Sequence, residues 1–127
     1  MSYEIKTENV PAAIGPYVQG VDLGNMLITS GQIPIDPKTG EIAEDIIAQT
    51  TQSLKNIQAI VEKAGLSVAN IVKTTVFVKD MNDFASVNAT YEAFFNQHNA
   101  PYPARSCVEV ARLPKDVGIE IEAIAIR

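Results

Sequence analysis

Arg105 and Cys107 stand two positions apart in residues 101–110, PYPARSCVEV, a short strand-like run that opens from a Pro-rich turn. Strand period turns both side chains to one face. A guanidinium placed there is a planar fork for a carboxylate, whether the protein's own or a ligand's. Residues 118–127, GIEIEAIAIR, set Glu120 and Glu122 on one face of another strand, among isoleucines. They offer either a partner for the arginine or an acid that orients a water or moves a proton.

Each candidate also has a structural reading. Arg105 can close an ion pair with Glu109, Glu120 or Glu122, and Glu120 can be a solvated position on an edge strand. Cys107 belongs to a residue type that is more often a small buried hydrophobe than a nucleophile, and the single histidine, His98, lies apart from it. Its backbone N–H is therefore the more useful group. Tyr17 follows Gly15-Pro16 at the start of a strand, with its hydroxyl directed either to water or into a pocket. Asn88 shares a helical stripe with Phe84, Tyr91 and Phe95, where a buried amide needs a partner. His98 suits the C-terminal end of a helix, and Lys115 and Asp116 read as solvated charges in a polar turn.

The chain that must position these groups has 127 residues, 46% of them hydrophobic, enough for one core and too few for two ordinary domains. Residues 1–127 read as one domain. Ten Lys and Arg against fifteen Asp and Glu leave a net charge of −5, which opposes nonspecific attraction to nucleic acid or anionic membrane. The N-terminus has no basic segment followed by an apolar run, and no stretch approaches the roughly 20 apolar residues that cross a bilayer. A cytoplasmic protein is expected. One cysteine excludes an internal disulfide, and one cysteine with one histidine leaves too few ligands for an ordinary structural zinc site. No metal is expected. Gly-rich phosphate loops, HExxH and EF-hand patterns are absent, and nothing in the spacing brings Ser and Asp to His98 for triad chemistry.

Hydrophobic patterning divides the chain into strands at residues 3–6, 17–23 and 26–29, with Gly24-Asn25 turning the second into the third. Residues 35–41 have turn chemistry. Ile47, Thr51, Leu54, Ile57, Val61 and Ala64 recur at three and four through residues 45–64, and Gly65 sits where a helix ends. Residues 70–79 are β-branched and form a strand, and residues 83–97 form a second helix with Asn82 as its N-cap and Pro101 barring extension. Strand 70–79, helix 83–97 and strand 104–110 make a β-α-β unit with parallel strands, and the fold class is α+β.

The final strand carries Ile119, Ile121, Ala123 and Ala125 on one side and Ile124 and Ile126 on the other, while two helices cover only one face of such a sheet. Burying the other face against a second copy is the simplest solution, so a homo-oligomer is expected. Arg105 and Glu120 need not be neighbours in one chain and can meet across a subunit boundary.

Taken together, Ala13-Ile14-Gly15-Pro16-Tyr17, Thr29-Ser30-Gly31-Gln32-Ile33-Pro34, Lys73-Thr74-Thr75-Val76-Phe77-Val78 and Pro103-Ala104-Arg105-Ser106-Cys107-Val108-Glu109-Val110, leading to Glu120-Ile121-Glu122, resemble the RidA (YjgF) family of reactive intermediate deaminases over essentially the whole chain. The resemblance implies a chorismate-mutase-like α+β fold, a mixed six-stranded sheet with two helices on one face, and a homotrimer with sites between subunits. It implies hydrolysis of 2-aminoacrylate, 2-aminocrotonate and their imine tautomers, released by pyridoxal-phosphate-dependent serine and threonine dehydratases, to 2-keto acids and ammonia. No cofactor is implied. By position, Arg105 resembles the carboxylate clamp and Glu120 the residue that holds or activates water, with Tyr17, Ser30, Gly31, Asn88 and Cys107 as pocket members. The alternative is a non-catalytic module that senses a 2-keto acid in the same cleft. A chaperone-like or nucleic-acid-processing role ranks last for so acidic a chain.

Overall fold

The computed structural model describes residues 3–127. Its strands are β1 (Tyr3–Ile5), β2 (Gly20–Asp22), β3 (Met26–Thr29), β4 (Ile71–Val78), β5 (Ala104–Glu109) and β6 (Ile119–Ile126), and its α-helices are α1 (Ile46–Lys63) and α2 (Phe84–Gln97). They form one mixed sheet in the order β1-β2-β3-β6-β4-β5. Only β4 and β5 run parallel, joined through α2 as the β-α-β pattern requires, and the other neighbours are antiparallel.

Both helices pack on one face. Thr74, Val76 and Val78 of β4 and Ile119, Ile121, Ala123 and Ala125 of β6 are buried beneath Leu54, Ile57, Ile60 and Val61 of α1 and Val87, Tyr91 and Phe95 of α2. The other face is uncovered, and Ile28, Val108 and Ile126 remain 41%, 43% and 37% exposed there. The two-sided apolar character expected of the last strand is therefore real, with Ile124 only half-buried beside Ile126.

Helix α1 begins where Asp45 accepts a hydrogen bond from the Ala48 N–H at 2.8 Å, and ends before Gly65, whose φ of 80° is the left-handed turn that glycine takes without strain. Its apolar stripe starts later than the periodicity predicts. Ile47 is 55% exposed, because the first turns face inward with Gln49, Thr50, Ser53 and Asn56 instead. Two of these polar residues anchor loops. Asn56 donates to the carbonyls of Ile33 and Ile35, and Gln49 donates to Ala43 O and accepts from the Gly118 N–H.

Other expectations need correction. Asn82 does not cap α2: Asp80 accepts from the Asn82 N–H at the head of a 3-10 turn, Met81–Asp83, which leads directly into the helix. The second strand is Gly20–Asp22, shorter than residues 17–23, and pairs over those three residues with β1 on one side and β3 on the other. Tyr17 therefore lies in a loop, its N–H turned back to Gly15 O at 2.8 Å. Lys115 and Asp116 are exposed as expected, and Lys79 Nζ binds Asp116 at 2.7 Å and holds its carboxyl below the ordinary value. His98 does cap the C-terminal end of α2, with Nδ1 2.7 Å from Phe94 O.

Replacing Asp45 by Ala removes the only side-chain cap of α1. It should lower stability by about 1 kcal/mol, read as a lower urea midpoint with unchanged slope at equal protein concentration.

Candidate active site

Strand β4 separates the two candidate groups of central interest. Its residues Thr74 and Val76 pair with Arg105 and Cys107 of β5, and its residues Thr75 and Phe77 pair with Glu122 and Glu120 of β6. Directly paired residues point to the same side of a sheet, and residues three apart on one strand point to opposite sides. Arg105 and Cys107 therefore face the helices, while Glu120 and Glu122 face the uncovered side. One chain does not bring Arg105 and Glu120 into one cleft.

Arg105 opens onto a cavity of about 350 Å³ lined by Asn88, Tyr91, Glu92, Tyr102, Pro103 and Arg105. None of its expected acidic partners engages it: among the described residues Arg105 closes no ion pair, and Glu109 accepts from the Met81 N–H instead. Its guanidinium lies over the Tyr91 ring at 4.9 Å from the centroid and over Phe84 at 5.7 Å. The N–H fork is thus free for a ligand carboxylate. Asn88 lines the same cavity, and its Oδ1 is buried with no partner among the described residues, so the partner that a buried amide on the α2 stripe needs is not supplied there. Cys107 is half-buried against the core, and burial raises its thiol pKa, with the Arg105 charge pulling the other way. A thiol kept protonated is a poor nucleophile.

On the other face the backbone of Gly31 lies against Glu120. A Cβ at position 31 would stand 2.9 Å from Glu120 Cδ and nearer still to Oε2, so any side chain there displaces the carboxylate. Gly31 and Tyr17 line one small cleft with Gln32, Ile33 and Ile35, and a bridge between Gln32 and Ile121 sets this loop beside β6. The Tyr17 hydroxyl accepts from the Ile14 N–H at 3.2 Å, and Ser30 Oγ donates to Val18 O at 2.6 Å. Ser30 thereby ties the Tyr17 segment to the Gly31 loop. Burial, and then the charge of Glu122, raise the Glu120 pKa. A carboxylate raised in this way is better matched to moving a proton near neutral pH.

The site residues thus fall into two halves: Arg105, Asn88 and Cys107 toward the helices, and Glu120, Gly31, Tyr17 and Ser30 toward the uncovered face and its adjoining loop. A larger cavity of about 450 Å³, between α1 and the loop carrying Pro34 and Glu41, contains none of these residues. Sequence reading missed Thr74, whose hydroxyl bonds that of Tyr91 at 2.6 Å, and treated Tyr91 only as part of an apolar stripe. No local signal marks either residue, since their meeting depends on the packing of α2 over β4.

The features define a class: an α+β protein with both helices on one face of a six-stranded sheet, a guanidinium fork without an ion pair among the described residues on one side, and a carboxyl of raised pKa on the other. A model of the family described as Endoribonuclease L-PSP matches residues 7–127. Proteins of Salmonella typhimurium and Escherichia coli named 2-iminobutanoate/2-iminopropanoate deaminase are 78% and 77% identical over 127 residues, spanning 100% of this chain and 99% of each of theirs. The crystal structure of the Escherichia coli YjgF gene product superposes with a TM-score of 0.98 at 76% identity, and that of Escherichia coli TdcF with bound serine with 0.98 at 62%, each covering 98% of both chains. The chain belongs to this family, that of the RidA (YjgF) proteins.

Replacing Glu122 by Gln removes the charge that opposes ionisation of Glu120. The Glu120 carboxyl should then titrate at lower pH, as followed by its carboxyl carbon resonance, and an unchanged midpoint would assign the whole shift to burial.

Proposed function

We infer that this chain is a hydrolytic deaminase of reactive 2-imino and 2-enamino acids, converting 2-aminoacrylate, 2-aminocrotonate and their imine tautomers to 2-keto acids and ammonia. The observation that carries this reading is 78% identity across the full chain to a protein named for that reaction. The site chemistry is compatible with it. Three chains of one domain each, residues 1–127, form a ring in which the helix-side half-site of one subunit meets the Glu120 half-site of its neighbour. The uncovered apolar sheet face supports this assembly. The enzyme works in the cytoplasm, beside the pyridoxal-phosphate-dependent dehydratases that release its substrates.

In the composite site, the substrate carboxylate takes two N–H groups of Arg105, with the backbone N–H groups of Gly31 and Cys107 beside it. This fixes the C=N carbon and polarises it. Glu120 orients a water and accepts its proton as the C–O bond forms and the C=N electron pair moves to nitrogen. Returning that proton to nitrogen gives the carbinolamine, and transfer of its hydroxyl proton to nitrogen, again through Glu120, lets the C–N bond break as the C=O bond forms, leaving the ketone and ammonia. Water is the only co-reactant the balance requires. These intermediates already hydrolyse unaided, so positioning and one proton shuttle suffice.

Arg105→Lys keeps the charge but loses the fork, and kcat/KM should fall about 10- to 100-fold, the scale of one charged hydrogen bond. The assay couples a threonine dehydratase to trapping of the imine by semicarbazide; near-normal turnover would remove the clamp role. A mixed assembly tests the two-chain site. Arg105→Ala and Glu120→Ala are each expected to be inactive, yet equal co-expression should restore about a quarter of wild-type activity, because each mixed ring of three contains one junction with both side chains intact. No recovery would mean that the two residues do not act in one inter-subunit site. Glu120→Ala should still bind 2-ketobutyrate. If the wild type also binds it without turnover, the protein is a sensor of 2-keto acids and not an enzyme.

A further inference from the structure

We propose that Tyr91, hydrogen-bonded to Thr74 and assisted by Phe84, is a positioning residue that holds the Arg105 guanidinium by its face and leaves its N–H edges free for the substrate carboxylate. The inference rests on the reading of Arg105 as the clamp and extends it to what holds the clamp. Arginine at a binding site is commonly steadied by a carboxylate from the protein, but such a partner consumes the same N–H donors that a ligand needs. An aromatic ring engages the π face instead and consumes none.

The geometry fits this division. Arg105 has no ion pair among the described residues, and its Cζ stands 4.9 Å from the Tyr91 centroid and 5.7 Å from that of Phe84. Tyr91 is itself fixed from below. It is 5% exposed, it packs on Phe95 with centroids 4.8 Å apart, and its hydroxyl shares a 2.6 Å hydrogen bond with Thr74 Oγ1. Thr74 is the β4 residue directly paired with Arg105, so strand register and the side-chain contact place the ring and the guanidinium in the same row. Burial raises the Tyr91 pKa, which keeps the hydroxyl protonated and the hydrogen bond to Thr74 intact across the working pH range.

The test must separate the ring from its hydroxyl without leaving the buried Thr74 oxygen unpaired, so both partners are changed together. Thr74→Val with Tyr91→Phe keeps the ring, and Thr74→Val with Tyr91→Leu removes it. Phe84→Leu, at a half-exposed position, gives a third variant if the leucine pair does not fold. Each is assayed for kcat, KM, 2-ketobutyrate affinity by calorimetry and thermal midpoint, beside Arg105→Ala.

Loss of the Tyr91 ring should raise KM and the 2-ketobutyrate Kd about 3- to 30-fold, the size of a cation–π contact, with kcat within about threefold of wild type. The phenylalanine pair should stay within about threefold of wild type in all three constants, and Phe84→Leu should raise KM about two- to fivefold. A purely structural role would lower the thermal midpoint of the leucine pair and leave its KM and Kd unchanged, which would overturn the proposal. If the leucine pair does not fold, an unchanged KM in Phe84→Leu overturns it instead. If Arg105→Ala itself leaves KM and Kd unaltered, the clamp reading fails, and the proposal with it.

Discussion

The alternation of side chains along β4 governs the arrangement of the whole candidate site. Thr74 and Val76 point to the helices and Thr75 and Phe77 point away, and the strands on either side inherit these directions through their register. Arg105 and Glu120 are consequently placed back to back across the sheet. A shift of one residue in either pairing would turn the affected residue to the other face and expose its core neighbours, so the burial of Ile119, Ile121 and Val76 holds the two candidate groups apart as firmly as it holds the fold.

That separation has an electrostatic consequence. Among the described residues the guanidinium has no carboxylate partner, and burial followed by the like charge of Glu122 acts on the carboxylate. Had the two been adjacent, they would have neutralised each other: Arg105 would have spent its fork on protein, and the Glu120 pKa would have been pulled down instead of raised. Aromatic faces support the first without consuming its donors, and the close backbone of Gly31 confines the second. The same uncovered face that displays Glu120 displays Ile28, Val108 and Ile126.

Polar residues on the inner side of α1 give the loops their positions. Asn56 secures the carbonyls of Ile33 and Ile35, just beyond Gly31, and Gln49 joins Ala43 to Gly118, just before β6. A purely apolar stripe would have packed the helix on the sheet and left the carbonyls of Ile33 and Ile35 without these donors. Side-chain amides at these two turns supply donors and acceptors to backbone groups that lie outside the strand ladder.

Much of this was legible in the amino-acid order. Local patterning located both helices, the parallel β-α-β unit and the two-faced last strand, because 3.6- and 2-residue periods are properties of short segments. The family motifs nominated Arg105, Glu120 and Gly31 from residue type and order alone. The extent of β2 and the cap of α2 were misjudged, since the first depends on its pairing with β1 and β3 and the second on a 3-10 turn closed by Asp80. The inward polar turns of α1 escaped notice because periodicity counts apolar residues and not the carbonyls that amides must satisfy. The opposition of Arg105 and Glu120, and the Thr74–Tyr91 support under the guanidinium, were decided only by tertiary structure. Both depend on β4 being inserted between β5 and β6, a long-range pairing that no local period encodes.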